Sequence, residues 1–257
     1  MIANYHTHTK WCRHAKGEAE DYIQEAIGLG LKEIAITDHV PHIDNSDPGR
    51  MMWEEFEAFN QKLDEAIEKY QDQITIYKGF ECEYYPEALE FYKKCINDYG
   101  YEIMILGQHR CGKDRYYNAF SNMDETALKI YADTVCEGLR SGLFSFLAHP
   151  DVFLFSYPQW DKHAENALRQ IYQTCEELKI PVEINGFGYY AGRPYPSTDA
   201  LKISKEYQLT YMINTDAHRP ELLYTEKTKE LEQLIKDMGI EVLDYLPKER
   251  HITKAIR

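Results

Sequence analysis

Two hydrophobic patterns alternate along the chain and predict strands and helices that follow each other in turn. Short apolar runs suit buried strands, and longer segments with apolar residues at helical spacing suit amphipathic helices. The predicted strands are the run 1–3 and residues 33–37, 74–80, 102–106, 144–148, 180–185 and 209–213. The predicted helices are residues 18–30, 53–70, 87–97, 124–140, 164–178, 197–207 and 220–238. Strands that alternate with helices in this way form a parallel sheet through βαβ crossovers.

No stretch rich in Pro, Gly or Ser interrupts these strand and helix units, so residues 1–257 are predicted to form a single domain. The length of 257 residues is close to that of a typical single (β/α) barrel. An open, doubly wound sheet is the structural alternative, but it collects ligands mainly where the strand order reverses. Here nearly every predicted strand ends on a potential metal ligand, which favours the rim of a barrel.

Nine imidazole and carboxylate groups lie at or just beyond the predicted strand ends. Side chains of an extended chain alternate between faces, so His6 and His8 point the same way, with Thr7 opposite. The nine groups are His6, His8, His14, His39, Glu81, His109, His149, Asp216 and His218. They are too many for one ion that also binds water, so two or three metal ions are expected. Mixed nitrogen and oxygen ligands suit zinc, iron or manganese, and a carboxylate such as Glu81 or Asp216 can bridge two ions.

The composition limits the classes of partner. The formal net charge is −14, with 43 acidic and 29 basic residues, which disfavours long nucleic acids and anionic membranes. An anionic substrate would need local positive charge from metal ions or a few arginines. The six cysteines are dispersed, form no Cys-x-x-Cys pair and follow no recognisable secretory signal, which is typical of reduced thiols in the cytoplasm. The sequence leaves the oligomeric state open.

Taken together, the strand-end motifs resemble those of the PHP (polymerase and histidinol phosphatase) family of metal-dependent phosphoesterases. The motifs are His6-Thr7-His8 with His14, Thr37-Asp38-His39, Gly79-Phe80-Glu81, His109, Ala148-His149-Pro150 and Asp216-Ala217-His218. Their order and spacing match over most of the chain. The resemblance implies a distorted (β/α)7 barrel with a trinuclear metal centre at the C-terminal rim.

The resemblance also implies how the ligands are shared among three ions. His6, His8, Glu81 and Asp216 would hold one ion, and Glu81 would bridge to a second. The other ligands of the second ion would be His109 and His149, and the third ion would fall to His14, His39 and His218. Asp38, Asp151 and Asn214 are candidates for orienting the imidazoles.

Closely spaced divalent ions suit phosphoester hydrolysis because they neutralise phosphate oxygens, activate water and stabilise the leaving oxygen. We expect a metal-bound hydroxide to attack phosphorus directly, since no Cys or Ser motif suggests a phosphoenzyme. Glu81, His149 and Asp216 are the expected catalytic residues. Either Asp216 or a metal-bound water would supply the proton to the leaving group.

The substrate is expected to be a small phosphorylated molecule. Arg193, Arg110 and Arg219 are candidates for binding its phosphate, because the planar guanidinium matches phosphate oxygens. Tyr117 is a candidate for framing a substrate ring, and His42 for lining the mouth of the site.

Within the family, the opening that contains Cys12 and segments 37–41 and 195–197 look most like the histidinol-phosphate phosphatase branch, which implies hydrolysis of L-histidinol phosphate in histidine biosynthesis. A carboxylate such as Glu183 or Glu83 would then pair with the substrate amine. The alternatives are a PHP phosphoesterase acting on another phosphomonoester or on nucleotides, and a non-catalytic metal-binding module.

Overall fold

In the computed structural model, residues 1–252 are described, and their strands and helices alternate as the sequence predicts. The strands are β1 (Ala3–Asn4), β2 (Glu33–Ile36), β3 (Thr75–Cys82), β4 (Ile103–Leu106), β5 (Arg110–Cys111), β6 (Tyr117–Asn118), β7 (Phe146–Leu147), β8 (Val182–Asn185) and β9 (Tyr211–Asn214). The α-helices are α1 (Ala19–Leu29), α2 (Phe56–Tyr70), α3 (Leu89–Tyr99), α4 (Glu125–Arg140), α5 (Lys162–Leu178), α6 (Gly186–Tyr190), α7 (Thr198–Ser204) and α8 (Glu226–Asp237).

Seven of these strands form one parallel sheet in the order β1-β2-β3-β4-β7-β8-β9. The order never reverses, which excludes a doubly wound sheet with a switch point. Beyond β1 and β9 the two edges meet, because His8 N donates to Ala217 O (2.9 Å) and Ala217 N donates to His6 O (3.3 Å). The sheet is therefore a nearly closed, distorted (β/α)7 barrel, and the fold prediction is confirmed.

Apolar side chains fill the lower part of the barrel interior. We call this cluster the floor, and it consists of Ala3, Tyr5, Ala35, Ile103, Ile105, Phe146, Ala148, Met212 and Leu246. The segment after α8 closes it from below, since Leu243 N donates to Tyr211 O (2.8 Å) and Leu246 N donates to the Tyr5 hydroxyl (3.1 Å). A larger apolar layer lies between the sheet and the surrounding helices.

The structure corrects several element boundaries. Between the strand predicted at residues 102–106 and the helix predicted at residues 124–140, the structure contains the antiparallel hairpin β5–β6. The short helix α6 was not predicted, although Asn185 caps it by accepting from Gly188 N (2.8 Å). The last helix begins at Glu226 rather than Pro220, because Thr225 is its N-cap and Pro220–Leu222 form a separate 3-10 turn. Residues 253–257 lie outside the described residues.

Candidate metal centre

The nine predicted ligands converge at the C-terminal ends of the parallel strands. Seven of them line a cavity of about 820 Å³ at this end of the barrel, which we call the rim. His6 and His8 are fully buried beneath it. Parallel strands place their carboxyl ends at the same edge of a sheet, which is why residues far apart in sequence meet here.

Glu81, near the end of β3, lies at the middle of the cluster and is 2% exposed. Its Oε2 atom lies 3.4 Å from His6 Nε2, 3.3 Å from His8 Nε2 and 3.0 Å from His39 Nδ1. Its Oε1 atom lies 2.8 Å from His149 Nε2 and 3.6 Å from His109 Nε2. One carboxylate therefore faces two separate sets of imidazoles, as a bridging ligand would.

Gly107 makes room for this carboxylate. A Cβ atom at position 107 would lie 1.9 Å from Glu81 Oε1, so any other residue would displace the Glu81 side chain. Gly107 directly follows β4, and its N–H donates to Cys82 O (2.9 Å), which fixes the backbone against β3. The rim thus requires glycine here for space rather than for an unusual φ.

Asp216 forms the second anionic point of the cluster. Its Oδ1 atom lies 3.0 Å from His8 Nε2 and 3.5 Å from His6 Nε2. Asn185 Nδ2 donates to the other carboxylate oxygen (3.2 Å). Asp216 has φ 47° and His149 has φ 26°, so two predicted ligands have positive φ angles that non-glycine residues rarely adopt.

The buried polar atoms of the rim fit metal ions. His6 Nε2, His8 Nε2, His39 Nδ1, His149 Nδ1 and Asp216 Oδ1 are buried and have no hydrogen-bond partner. Buried polar atoms without partners are costly, and five in one cluster indicate a ligand that is shared among them. Nitrogen and oxygen donors in this mixture suit a transition metal ion or zinc.

Three of the imidazoles are oriented by oxygen acceptors on their Nδ1 atoms. His6 Nδ1 donates to Glu183 Oε1 (2.8 Å), and His218 Nδ1 donates to the backbone oxygen of Asp216 (2.8 Å). His109 Nδ1 lies 3.2 Å from Glu83 Oε1. An Nδ1–H that is bound in this way leaves the Nε2 lone pair free for a metal ion.

The two carboxylates predicted to pair with the substrate amine, Glu183 and Glu83, are buried and already bound by other groups, although Glu83 lines the rim cavity. Glu183 is 2% exposed and also accepts from His149 N (3.2 Å), so it has no free face toward the cavity. Glu83 is 1% exposed, accepts from His109 N (3.1 Å) and pairs with the buried Arg50 (3.3 Å). A charged residue within an otherwise apolar strand, as at Glu183, was the signal for such a buried role.

The three residues predicted to orient imidazoles form other contacts. Asp38 accepts from Thr9 N (2.8 Å) and from the Cys12 thiol (2.9 Å), and Asp151 accepts from Ser197 N (2.7 Å). Asn214 Oδ1 accepts from Tyr5 N (2.9 Å). Among the hydrogen bonds of residues 1–252, these three side chains form none with a ligand imidazole, because Glu183, Glu83 and Cys12 occupy those positions.

The electrostatics of the cluster favour neutral His8 and anionic carboxylates. Burial lowers the pKa of His8 to about 3, so its Nε2 lone pair is available. Burial opposes ionisation of Glu81, but His39, His109 and His6 outweigh it and hold its pKa well below the usual range. Burial also opposes protonation of His6, but Glu183, Asp216 and Glu81 outweigh it and hold its pKa well above the usual value. A metal ion bound to His6 would take the place of this proton.

Burial likewise opposes ionisation of Asp216, but His6 and His218 outweigh it and hold its pKa well below the usual range. The carboxylate therefore stays ionised, which fits a metal ligand better than a proton donor to a leaving group.

The close groups of donor atoms agree in part with the expected division among three ions. His6, His8 and Glu81 form one such group, and His39, Glu81 and His109 form another. The expected third set does not form a close group within residues 1–252, although the His14 ring lies 5.4 Å from that of His39 and 5.0 Å from that of His218. His39 therefore lies between the second and third expected sets, since its ring is also 5.5 Å from that of His109.

All three predicted phosphate-binding arginines line the rim cavity, but their environments differ. Arg193 lies over the rings of Phe187 (4.5 Å), Phe155 (5.2 Å) and Phe120 (5.7 Å), and donates to the Tyr195 hydroxyl (3.1 Å). No carboxylate of the described residues lies within 4 Å of its guanidinium, which leaves it available to an anion. Arg110 approaches Asp47 (3.9 Å), and Arg219 approaches Glu221 (4.0 Å).

Two of the other substrate-binding predictions need correction. Tyr117 lies on β6 with its ring against Tyr116 (5.1 Å), and it is not among the described residues that line the rim cavity. His42 lines a smaller, adjoining cleft instead of the rim cavity. Its Nδ1 atom contacts Arg115 Nη1 (3.0 Å) and Ser46 Oγ (3.0 Å). Neither displacement was detectable from the sequence, because both follow from the path of a loop.

Within residues 1–252 there is no helix with the length and apolar character needed to cross a membrane.

The chain is similar in sequence to a known protein family and to two of its members. The sequence model of the PHP domain family matches residues 4–187. A probable histidinol-phosphatase of Schizosaccharomyces pombe is 32% identical over 249 residues, which cover 86% of this chain and 81% of the relative. A probable histidinol-phosphatase of Deinococcus radiodurans is 25% identical over 231 residues, which cover 85% of this chain and 87% of the relative.

Solved structures share the fold. The histidinol phosphate phosphatase of Lactococcus lactis, solved with zinc, L-histidinol and phosphate, superposes with a TM-score of 0.75 at 18% identity. That superposition covers 98% of this chain and 99% of the other. A putative histidinol phosphatase of Listeria monocytogenes gives a TM-score of 0.70 at 18% identity and covers 88% and 99% of the two chains.

Proposed function

Because this chain belongs to the PHP domain family, we propose that it is a metal-dependent phosphatase that hydrolyses L-histidinol phosphate to L-histidinol and phosphate. The observation that carries the proposal is the buried rim cluster, in which five polar atoms lack a partner beside an arginine available to phosphate. The two curated relatives, which match over more than four fifths of this chain, support the choice of substrate.

The cofactor is divalent metal, and two or three ions of zinc, iron or manganese are proposed to share the nine ligands. Bound ions supply charge neutralisation at the phosphate oxygens and lower the pKa of a coordinated water. His6, His8, Glu81 and Asp216 are proposed to hold one ion, and His109 and His149 a second that Glu81 bridges. His14, His39 and His218 are proposed for the third, with His39 close enough to the second set to contribute there.

The protein's own groups orient the reaction. His149, whose Nε2 atom contacts Glu81, lies between the bridging carboxylate and the ring of Tyr195 (6.3 Å). Asp216, which stays ionised, is proposed to act as a ligand rather than as the proton donor to the leaving group. Arg193 is proposed to bind phosphate oxygens, with its guanidinium held over the rings of Phe187, Phe155 and Phe120. Arg110 and Arg219 are proposed to add positive charge at the cavity mouth.

A cytoplasmic location and a single domain over residues 1–257 stay predictions, as does the exclusion of long nucleic acids. The alternative activity, on another phosphomonoester or on nucleotides, uses the same rim and differs only in what the cavity accepts beyond the phosphate.

The proposal is tested by steady-state turnover of the manganese- or zinc-loaded protein. L-histidinol phosphate, an aryl phosphate and a dinucleotide are compared at matched metal occupancy. We expect kcat/KM for L-histidinol phosphate to exceed that for the aryl phosphate by at least about 100-fold, a difference of about 2.7 kcal/mol in transition-state binding. Equal values for both phosphomonoesters would contradict the substrate assignment, and no hydrolysis of any substrate by the loaded protein would contradict the phosphatase.

A further inference from the structure

The thiol of Cys12 occupies an unusual position behind the metal centre. Cys12 ends the 3-10 turn Lys10–Cys12, between the ligands His8 and His14, and is fully buried. Its sulfur lies 3.3 Å from His8 Nδ1, 3.0 Å from the backbone nitrogen of His39 and 2.9 Å from Asp38 Oδ1. The sulfur thus contacts groups from the loops after β1 and after β2.

The donors and acceptors around the sulfur fit a chain of hydrogen bonds that runs from His8 through the thiol to Asp38. The backbone N–H of His39 can only donate, and the S–H is directed to the Asp38 carboxylate. Asp38 also accepts from Thr9 N (2.8 Å) and Thr9 Oγ1 (2.9 Å), so its orientation is fixed. Because the thiol hydrogen points to Asp38, a lone pair of the sulfur faces His8, and the Nδ1–H of His8 donates to the sulfur. The Nε2 atom of His8 is then free and points to Asp216 Oδ1 (3.0 Å).

His8 differs in this respect from the other oriented imidazoles. His6, His109 and His218 have oxygen acceptors on Nδ1, two of which are carboxylates. A carboxylate partner adds negative charge and raises the basicity of the imidazole. The thiol orients the ring without adding a charge next to Glu81 and Asp216.

Within residues 1–252, the other five cysteines form no hydrogen bond with a predicted ligand. Cys82, Cys111 and Cys136 approach backbone oxygens at 3.8, 3.9 and 3.6 Å, and Cys136 also accepts from the Thr174 hydroxyl. Cys175 lies on α5 and is fully buried, like Cys12. An alanine substitution at either position removes one buried sulfur atom. These cysteines behave as small apolar residues, and Cys175 provides a matched control for packing.

We propose that Cys12 is a positioning residue that holds His8 in the metal-binding tautomer and ties the loops after β1 and β2 into one edge of the metal centre. The inference rests on the proposed metal centre but not on the identity of the substrate. It assigns no contact between Cys12 and substrate or metal, since its sulfur acts through His8 and His39.

The test measures metal affinity directly, by equilibrium dialysis of the metal-free protein against zinc or manganese with the bound ions counted. For Cys12→Ala we expect the dissociation constant of the weakened site to rise about 10- to 100-fold, the usual cost of losing a group that orients a ligand. Cys12→Ser should restore affinity to within about threefold of wild type, because a hydroxyl both accepts and donates. Cys175→Ala should leave metal affinity unchanged.

Valine in Cys12→Val fills the space of the thiol but cannot accept a hydrogen bond from His8. Its metal affinity therefore tests the same role if the alanine variant fails to fold. Wild-type affinity in both Cys12→Ala and Cys12→Val, or an equal loss in Cys175→Ala, would overturn the positioning role. A wild-type protein that binds no ions would instead contradict the proposed function, so the two failures are distinguishable.

Discussion

The rim and the floor are two levels of one barrel interior, built on the same strands, yet they differ in almost every physical property. The floor is apolar and closely packed, with Ile103, Ile105 and Phe146 fully buried. The rim is polar and less buried, since His14 is exposed and His39, His109 and His218 are partly exposed, and several of its buried nitrogen and oxygen atoms lack hydrogen-bond partners. Apolar burial stabilises the fold, whereas buried polar atoms without partners destabilise it.

The change from floor to rim occurs within a few residues of single strands. Tyr5 belongs to the floor, where its hydroxyl bonds Glu33, and the next residue, His6, already belongs to the rim. On β4, Ile105 packs in the floor, and Gly107 two residues later opens space for Glu81. Stability and chemistry are therefore separated along these strands, so each level should respond to its own substitutions.

The largest effect is expected from Glu81→Gln, which removes the carboxylate that faces both sets of imidazoles. Loss of several kcal/mol of charge stabilisation should lower kcat/KM for L-histidinol phosphate by about 10³-fold or more. The far-UV circular dichroism spectrum should stay that of the wild type, because no apolar contact of the floor is removed. A Glu81→Gln protein with more than a tenth of wild-type activity would show that the rim does not depend on this bridge.

The next effect tests the floor. Phe146→Ala should lower the free energy of unfolding by about 3–5 kcal/mol, since it leaves a cavity in a fully buried cluster. The kcat of the folded protein should stay within about twofold of wild type. Urea unfolding measures the free energy of unfolding, and turnover at temperatures and urea concentrations below the transition measures kcat. Ile105→Val is the milder matched variant and should cost about 0.5–1.5 kcal/mol. Loss of kcat in proportion to stability in both variants would contradict the separation of the two levels.

Smaller effects are expected from substituting two glutamates that hydrogen-bond to buried rings. Glu183 bonds His6 in the rim, and Glu33 bonds Tyr5 in the floor. Glu183→Gln removes the charge behind His6 and should weaken metal binding about 10- to 100-fold. Glu33→Gln weakens the hydrogen bond from Tyr5 and should cost about 1 kcal/mol of stability, with metal affinity unchanged. Equilibrium dialysis and urea unfolding measure the two quantities. If Glu183→Gln altered only the KM for L-histidinol phosphate and left metal affinity intact, the amine-pairing role would have to be restored.

The sequence was sufficient for the fold and for the convergence of the nine ligands. Alternating strand and helix patterns predict a parallel barrel, and such a barrel brings strand ends such as Glu81 and Asp216 together whatever their sequence separation. The sequence was insufficient to predict which side chains from different segments contact each other. The contacts of His6 with Glu183 and of His8 with Cys12 depend on strand register and side-chain direction, which periodicity does not specify.

Loops were the other source of error. Tyr117 was assigned to the substrate cavity as a ring that could frame the substrate, and His42 because it follows the predicted ligand His39 closely in sequence. The hairpin β5–β6 turns Tyr117 away, and the loop after His39 carries His42 into the neighbouring cleft. Arg193 was located correctly, but the rings that hold its guanidinium come from three other segments and could not be inferred from its own glycine-bracketed loop.

The most direct test of a metal-dependent phosphatase at the rim is a metal titration of the chelated protein. Bound ions and phosphate release from L-histidinol phosphate are measured in the same samples as manganese or zinc is added back. We predict no hydrolysis before the ions are added and activity that rises in step with their binding. Hydrolysis by the metal-free protein, or none at full metal occupancy, would contradict the assignment of the rim as the catalytic site.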